Sequence, residues 1–341
     1  MKVSRTELVQ ALEQVKGAVA AKGFVPILTH VLVSGDSVLG YDSEIGIRAK
    51  MTTTVEKSFN VKASTFLQLL QQLEEEEIEL TVGERITIKC GRHTSHIAQL
   101  NEEFPKPKVS VKPEDWREVP AGFKEAVERC LIGVSDDENN RSLSSLFVSG
   151  DKVYGGNGKQ VVRCTVPGLN VAPFMLPKKA VGELIRLGNP KRVAVRDSLA
   201  VFDYVNLTFL ARLRDGAEYP QAQFDKFFGM VAEGRVVTPI PDGMVSAFTR
   251  LSLLTGEPLK QVWMSCKALG LELTLKSSTA EGYELLAPEG TSFPYKGINA
   301  ELANQLIQYA ESWAPGNGAQ IPFYFCGETA GYEALLAPLS P

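Results

Sequence analysis

The sequence predicts an α+β protein built from three similar domains. Three observations carry that expectation. The order helix, strands, helix, strands recurs three times over the 341 residues. Its period of roughly 110 residues far exceeds that of a stacked solenoid, so each copy reads as a domain. The strand-like runs are β-branched and alternating, and no Gly-rich βαβ crossover links them, which favours antiparallel sheets.

In the first copy, Ser4 and Glu7 form a capping-box pair at the start of a helix expected over 4–19. Leu8, Leu12, Val15 and Val19 then repeat at i, i+4, i+7 and i+11, one buried face. Strands are expected over 27–34, 37–39 and 45–59, the last carrying Thr52, Thr53 and Thr54. A second helix over 64–73 places Phe66, Leu69, Leu70 and Leu73 on one side. Strands over 78–82, 86–90 and 96–100 complete the copy before Phe104-Pro105.

The second copy repeats the order. Phe123, Val127, Cys130 and Leu131 mark its first helix, and Ala180, Val181, Leu184 and Ile185, after Pro177, mark its second. Strands are expected over 146–149, 153–154 and 161–166, then over 193–196, 200–204 and 207–213. In the third copy, Asp242 is the expected N-cap of a helix to 254, with Phe248 and Leu251 inward. Strands over 262–266, 271–277 and 283–287, a helix over 299–310, and strands over 321–326 and 332–336 follow. Segments 106–118 and 225–241 hold prolines and charges and read as linkers. The expected domains are therefore 1–112, 113–228 and 229–341.

Composition narrows the function classes. Lys and Arg number 36 against 40 Asp and Glu, a formal charge of -4, with 44% hydrophobic and 22% charged residues. These values exclude a disordered, collagen-like or disulfide-rich small chain. They also exclude nucleic-acid binding by bulk positive charge, although not a basic surface inside an acidic molecule. No apolar run long enough for a membrane helix exists, and no apolar signal segment opens the chain, so a cytoplasmic protein without a membrane partner is expected. Cys90, Cys130, Cys164, Cys266 and Cys326 are odd in number and widely spaced, as free thiols would be.

Several stretches are similar to one family. Val25-Pro26-Ile27-Leu28, the apolar Val31-Leu32-Val33 and Gly40-Tyr41-Asp42-Ser43-Glu44-Ile45 follow the order of that family's Pro-Ile-Leu, strand and Thr-Asp-Leu-Glu turn. Gly156-Asn157-Gly158-Lys159-Gln160 is similar to its Thr-Asp-Gly-His-Arg turn. Leu176-Pro177-Lys178-Lys179-Ala180-Val181 looks like its Val-Pro-Arg-Lys-Gly-Val helix start, and Leu213 through Pro220 like its Leu-Val-Asp-Gly-Arg-Phe-Pro segment. Ala337-Pro338-Leu339 stands where the family ends Met-Pro-Met. By these motifs, in order over all three copies, the chain resembles the bacterial DNA polymerase III β sliding clamp family, as a diverged or phage-borne relative.

That resemblance implies three clamp-fold domains per chain, each with two helices packed on antiparallel sheets. Two chains would close head to tail into a homodimeric ring around duplex DNA. The function implied is a non-enzymatic processivity factor without a cofactor. It would tether the replicative polymerase and bind peptides of polymerase and clamp loader. Sliding requires weak, sequence-independent phosphate contacts, which Lys and Arg supply. The candidates on or beside helices are Arg5, Lys22, Lys124, Arg129, Lys178, Lys179, Arg186, Arg250 and Lys296. Lys22, Lys178 and Lys179 stand where the family has DNA-contacting residues, while a solvated helix face is the alternative for each residue taken singly. The last helix, with Asn304, Gln305 and Gln308, should contribute less to DNA contact.

The resemblance also implies a partner-peptide groove between the second and third domains, formed by Leu143, Gly156, Gly158, Lys159, Val161, Pro220, Phe224, Pro338 and Leu339. Gly156, Lys159 and Gln160 depart from the family's Thr, His and Arg, so either peptide specificity differs or the site is degraded. Ile97, Leu253 and Leu254 match the ring interface. The acidic run Glu74 to Glu77 should lie away from DNA.

Two other chemistries are open on the residues alone. Cys90, His93 and His96 have a spacing that invites a metal, although a structural zinc site needs four ligands. Gly155 to Lys159 has the glycines of a phosphate loop but lacks the G-x4-G-K-[ST] spacing. A third possibility is a clamp-fold interaction protein that does not encircle DNA.

Overall fold

The computed structural model describes all residues except 23–24, 101, 108, 216–217, 233–234, 257–259, 268–269, 287–294, 317, 319 and 340–341. Gly216, Ala217 and Ala287, used above, lie outside the described residues. Seven α-helices are described: α1 Arg5–Val15, α2 Ala63–Gln72, α3 Phe123–Leu131, α4 Lys178–Leu187, α5 Gln221–Ala232, α6 Met244–Ser252 and α7 Ala300–Ile307. The chain forms two compact units, Met1–Val119 with Gly182–Leu213, and Pro120–Val181 with Arg214–Pro341. The division falls inside the second sequence copy.

In the first unit, a four-stranded antiparallel sheet has the order Lys2–Ser4, Glu77–Val82, Arg85–Cys90, His93–Ala98. A six-stranded sheet runs His30–Tyr41, Ile45–Lys62, Leu207–Arg212, Leu199–Asp203, Arg192–Arg196, Trp116–Glu118. The pairing of Leu207–Arg212 with Ile45–Lys62 joins strands of the first and second copies. Helix α1 buries Leu8, Ala11, Leu12 and Val15 and packs on Ile45–Lys62 and α2.

The second unit repeats that arrangement across the next boundary. Its eight-stranded sheet runs Val171–Pro177, Ser145–Gly150, Lys152–Gly156, Gln160–Thr165, Tyr332–Leu336, Phe323–Gly327, Ser312–Ala314, Thr238–Pro239. Its four-stranded sheet runs Glu281–Leu286, Gly270–Lys276, Gln261–Lys267, Lys296–Asn299. Helix α6 buries Met244, Ala247, Phe248 and Leu251, while α7 buries Ala300, Ala303, Leu306 and Ile307.

Several expectations are corrected. Helix α1 ends at Val15 and tightens into a 3-10 turn over Lys16–Ala18. Ser4 Oγ does accept from Glu7 N, at 3.3 Å, but Glu7 does not complete a capping box. Its carboxylate instead takes the Thr52 and Thr53 hydroxyls and amides, which hold it below the usual carboxylate range. The two short strands expected over 27–39 are one strand, His30–Tyr41, entered through a Pro26–Thr29 3-10 turn. Gly35, at φ +57°, supplies its bulge. The N-cap of α6 is Gly243 at φ +80°, not Asp242, because a Pro241–Met244 turn precedes the helix.

Neither linker is structureless. The first ends in the edge strand Trp116–Glu118. The second begins inside α5, whose Phe224, Phe228 and Val231 fall at i, i+4 and i+7 and are buried. The prolines and charges of 225–241 hid that stripe.

Candidate nucleic-acid and partner interfaces

The candidate DNA-binding residues divide by what already holds them. Lys22 and Lys179 are exposed. Lys124 forms an i,i+4 pair with Glu128 at 3.8 Å. Lys178, at the start of α4, is paired with Asp136. Arg186 is held more firmly: Nη2 lies 2.7 Å from Glu183, and its guanidinium donates to the Glu13 and Gln14 carbonyls at 3.2 and 2.6 Å. That contact satisfies carbonyls near the end of α1.

Arg5 does the same for α2, donating to Leu70 O at 3.2 Å and Glu75 O at 2.7 Å. Arg129 donates to Thr329 O and lies over the Tyr309 ring, 5.4 Å from its centre. Arg250 is bidentate on Glu284, at 2.6 and 3.0 Å. Lys296 is a correction. It is 1% exposed, donates to the Pro315 and Ile321 carbonyls at 2.5 Å each, and sits 4.6 Å from the centre of the Phe323 ring. Burial pulls its ammonium down to about 8. It braces the loop before Phe323 and cannot reach phosphate. The acidic run Glu74 to Glu77 is exposed, with Glu77 2.7 Å from Lys2.

The expected groove residues lie in the second unit. Gly156 ends one strand of a tight hairpin and Gln160 begins the next. Asn157 Oδ1 accepts from the amides of Lys159 and Gln160, both at 3.0 Å. Gly158, at φ +81°, makes the turn possible. Those two amides are therefore spent on the turn, which counts against the phosphate-loop alternative.

Leu143, Val161 and Phe224 join one apolar cluster with Phe147, Tyr154, Met175, Tyr219 and Leu335. Val161 is 7% and Phe224 6% exposed. Lys159 and Gly158 are exposed, and Pro220, Pro338 and Leu339 half-buried. Pro220 O accepts Phe224 N at 3.1 Å at the start of α5. Ala337 N donates to Lys159 O at 2.8 Å, placing the tail beside the hairpin, and Leu339 N donates to Gly297 O at 2.9 Å.

The sequence reading missed a polar cluster here. Arg163 reaches Asp225 at 2.9 Å and Glu333 at 2.5 Å, and its guanidinium lies 4.0 Å from the centre of the Phe228 ring. Tyr154 donates to Asp225 at 3.0 Å, and burial together with that carboxylate pushes its phenol up to about 12. The i, i+4, i+7 stripe of α5 was the signal that could have revealed it.

Of the expected ring-interface residues, Ile97 sits on a sheet edge and Leu253 and Leu254 at the end of α6. Ile97 lies half-buried on the edge strand His93–Ala98. Leu253 is 79% exposed, and Leu254 packs so close to Gly282 that a Cβ there would stand 2.4 Å away. On the adjacent edge strand Glu281–Leu286, Tyr283 and Leu285 are also exposed.

Cys90 and His93 are opposed across a hairpin, Cys90 buried and His93 exposed, and His96 lies three positions after His93 along one strand. The two imidazoles thus point to opposite faces. His96 meets Thr87 Oγ1 at 3.0 Å. Among the described residues, no three His, Cys, Asp or Glu side chains gather as metal ligands. A cavity of about 490 Å³ in the first unit is lined by Gln14, Arg186, Asn189, Lys191, Tyr204 and Asn206 with Leu187, Val205 and Leu207. That lining holds no carboxylate, imidazole or thiol for acid–base or nucleophilic work. All five cysteines are free thiols.

Comparison with known proteins places these features. Residues 1–108 match the family described as DNA polymerase III beta subunit, N-terminal domain. The beta sliding clamp of Haemophilus influenzae is 25% identical over 314 residues, covering 83% of this chain and 82% of that protein. The beta sliding clamp of Escherichia coli K12 is 23% identical over 335 residues, covering 88% and 86%. Among solved structures, the DNA polymerase sliding clamp of Bacillus subtilis superposes with a TM-score of 0.85 at 18% identity, over 100% of this chain and 98% of that one. The sliding clamp of Bartonella birtlesii bound to griselimycin gives 0.86 at 18% identity, over 100% and 99%. The fold is shared along the full length.

Proposed function

The family match, the curated relatives and the shared fold all point to the DNA polymerase III beta subunit, and from that premise we propose that this chain is a sliding clamp. Two copies would close head to tail around duplex DNA and tether a replicative polymerase. The observation that carries this is the full-length clamp fold, in which one sheet spans copies one and two and another spans copies two and three. The proposed domains are 1–112, 113–228 and 229–341. The role is structural rather than catalytic, and a cytoplasmic location is part of the proposal. Among the described residues, no helix is long and apolar enough to cross a membrane.

Ring closure would bring the edge strand Glu281–Leu286 of one copy to the edge strand His93–Ala98 of the other. Leu253, Leu254, Tyr283 and Leu285 offer apolar area there, opposite Ile97. DNA would meet Lys22, Lys124, Lys178 and Lys179, with surface ion pairs such as Lys178–Asp136 exchanging for phosphate. Arg5, Arg129, Arg186 and Arg250 are more strongly committed, so the grip on DNA is weak, which sliding requires. The partner groove around Leu143, Val161 and Phe224 would receive peptides of polymerase and loader.

A solution mass measurement at micromolar concentration tests the ring. A dimer is expected, and a strict monomer would overturn the proposal.

A further inference from the structure

Phe224 is 6% exposed and packed into the apolar cluster of the proposed groove. Its ring stands edge-on to Tyr219, with centroids 5.6 Å apart. It also rests against the bare Cα of Gly156, where a Cβ would lie 2.8 Å from two ring carbons. Gly156 lies within a β-strand and does not need the left-handed region. What this glycine supplies is room for the ring.

A second observation concerns Tyr219. Its ring is stacked on Phe147 at 4.6 Å and it is 7% exposed, yet its hydroxyl has no hydrogen-bond partner among the described residues. A buried hydroxyl left unpaired is a cost of the closed arrangement. A third concerns α5, which is fixed by Asp225 through Arg163 and Tyr154. The helix backbone is therefore held, so an opening that keeps α5 in place must come from the Phe224 side chain.

We propose that Phe224 is a built-in plug of the partner-peptide pocket, closing it from within until an extended peptide bearing an aromatic or large aliphatic anchor displaces the ring. This rests on the groove reading above and adds its regulation. In the open form the anchor takes the place of the ring over Gly156, and Tyr219 Oη gains a partner in the peptide backbone. The closed form dominates in the free protein, so apparent affinity falls by the fraction of molecules that are open.

The test uses the full chain and fluorescence anisotropy of a labelled peptide, Ser-Leu-Thr-Phe-Ser-Gly, whose Leu and Phe project to one side when extended. Phe224→Ala should bind it roughly 10-fold more tightly than the parent. Gly156→Ala should do the same by another route, since the new Cβ forces the ring away while the ring itself remains. Adding Tyr219→Phe to either variant should remove part of the gain. Should Phe224→Ala fail to fold, which a thermal melt would reveal, Gly156→Ala decides the matter. Equal binding by the parent and both variants would overturn the plug and leave the groove standing. No binding by any of the three would overturn the plug and the groove together.

Discussion

Two apolar regions of the second unit are both suited to proteins, and they are kept in opposite states. At the edge strand Glu281–Leu286 and the end of α6, apolar side chains face solvent: Tyr283 is 58% exposed and Leu253 79%. At the groove, Val161 and Phe224 are buried among aromatic rings. An edge that pairs permanently with another copy need not hide its apolar surface, because the partner covers it. A site that meets partners in turn gains from concealment, since exposed apolar area invites the wrong ones. On the proposals above, the difference is that between constitutive and gated binding.

The largest effect should follow from breaking the open edge. Leu253→Asp with Leu254→Asp should weaken dimerisation by about 1,000-fold or more, as loss of central apolar anchors does. Sedimentation should find a folded monomer, and an unchanged dimer would refute the edge assignment. Next comes the support of the closed groove. Arg163→Met leaves Asp225 and Glu333 without their shared cation and should cost about 3 kcal/mol in a urea melt, the range for breaking a largely buried pair. A cost below about 0.5 kcal/mol, that of an ordinary surface change, would mean that α5 is held by packing alone.

Lys296 gives an effect that depends on pH. Burial pulls its ammonium from the ordinary 10.5 to about 8, so the folded chain releases this proton first as pH rises. Between those values the unfolded chain binds more protons, and stability from this group rises with pH, by at most about 3 kcal/mol. Lys296→Met should abolish that rise, and identical pH profiles for the two proteins would contradict the assignment. The smallest effect is expected for Lys178→Glu with Lys179→Glu. DNA affinity should fall most at low salt, with the salt slope reduced by about 1 to 2. No change in slope would remove both from the DNA-facing surface.

The sequence makes some parts of this architecture plain and others invisible. Helices α2, α3 and α4 are legible because Phe66 with Leu70, Phe123 with Val127, and Ala180 with Leu184 each mark one apolar face. Helix α5 is not, because Asp225, Lys226, Arg235 and the nearby prolines look like a linker, and the stripe Phe224, Phe228, Val231 is only two turns long. The joining of copies by strand pairing, as between 160–165 and 332–336, leaves no local trace, since such contacts link residues far apart in the chain. For the candidate sites, residue type marked the right regions but not their state. A lysine beside a helix reads the same whether exposed, as at Lys179, or enclosed under Phe323, as at Lys296. Burial is a tertiary property, and it separates the groove from the edge.

Topology on DNA tests the central claim most directly. Protein loaded on a nicked circular duplex should remain with it through gel filtration at moderate salt, then be lost once the circle is cut. Equal retention before and after cutting would mean that contact, and not encirclement, holds the DNA, and would contradict the ring.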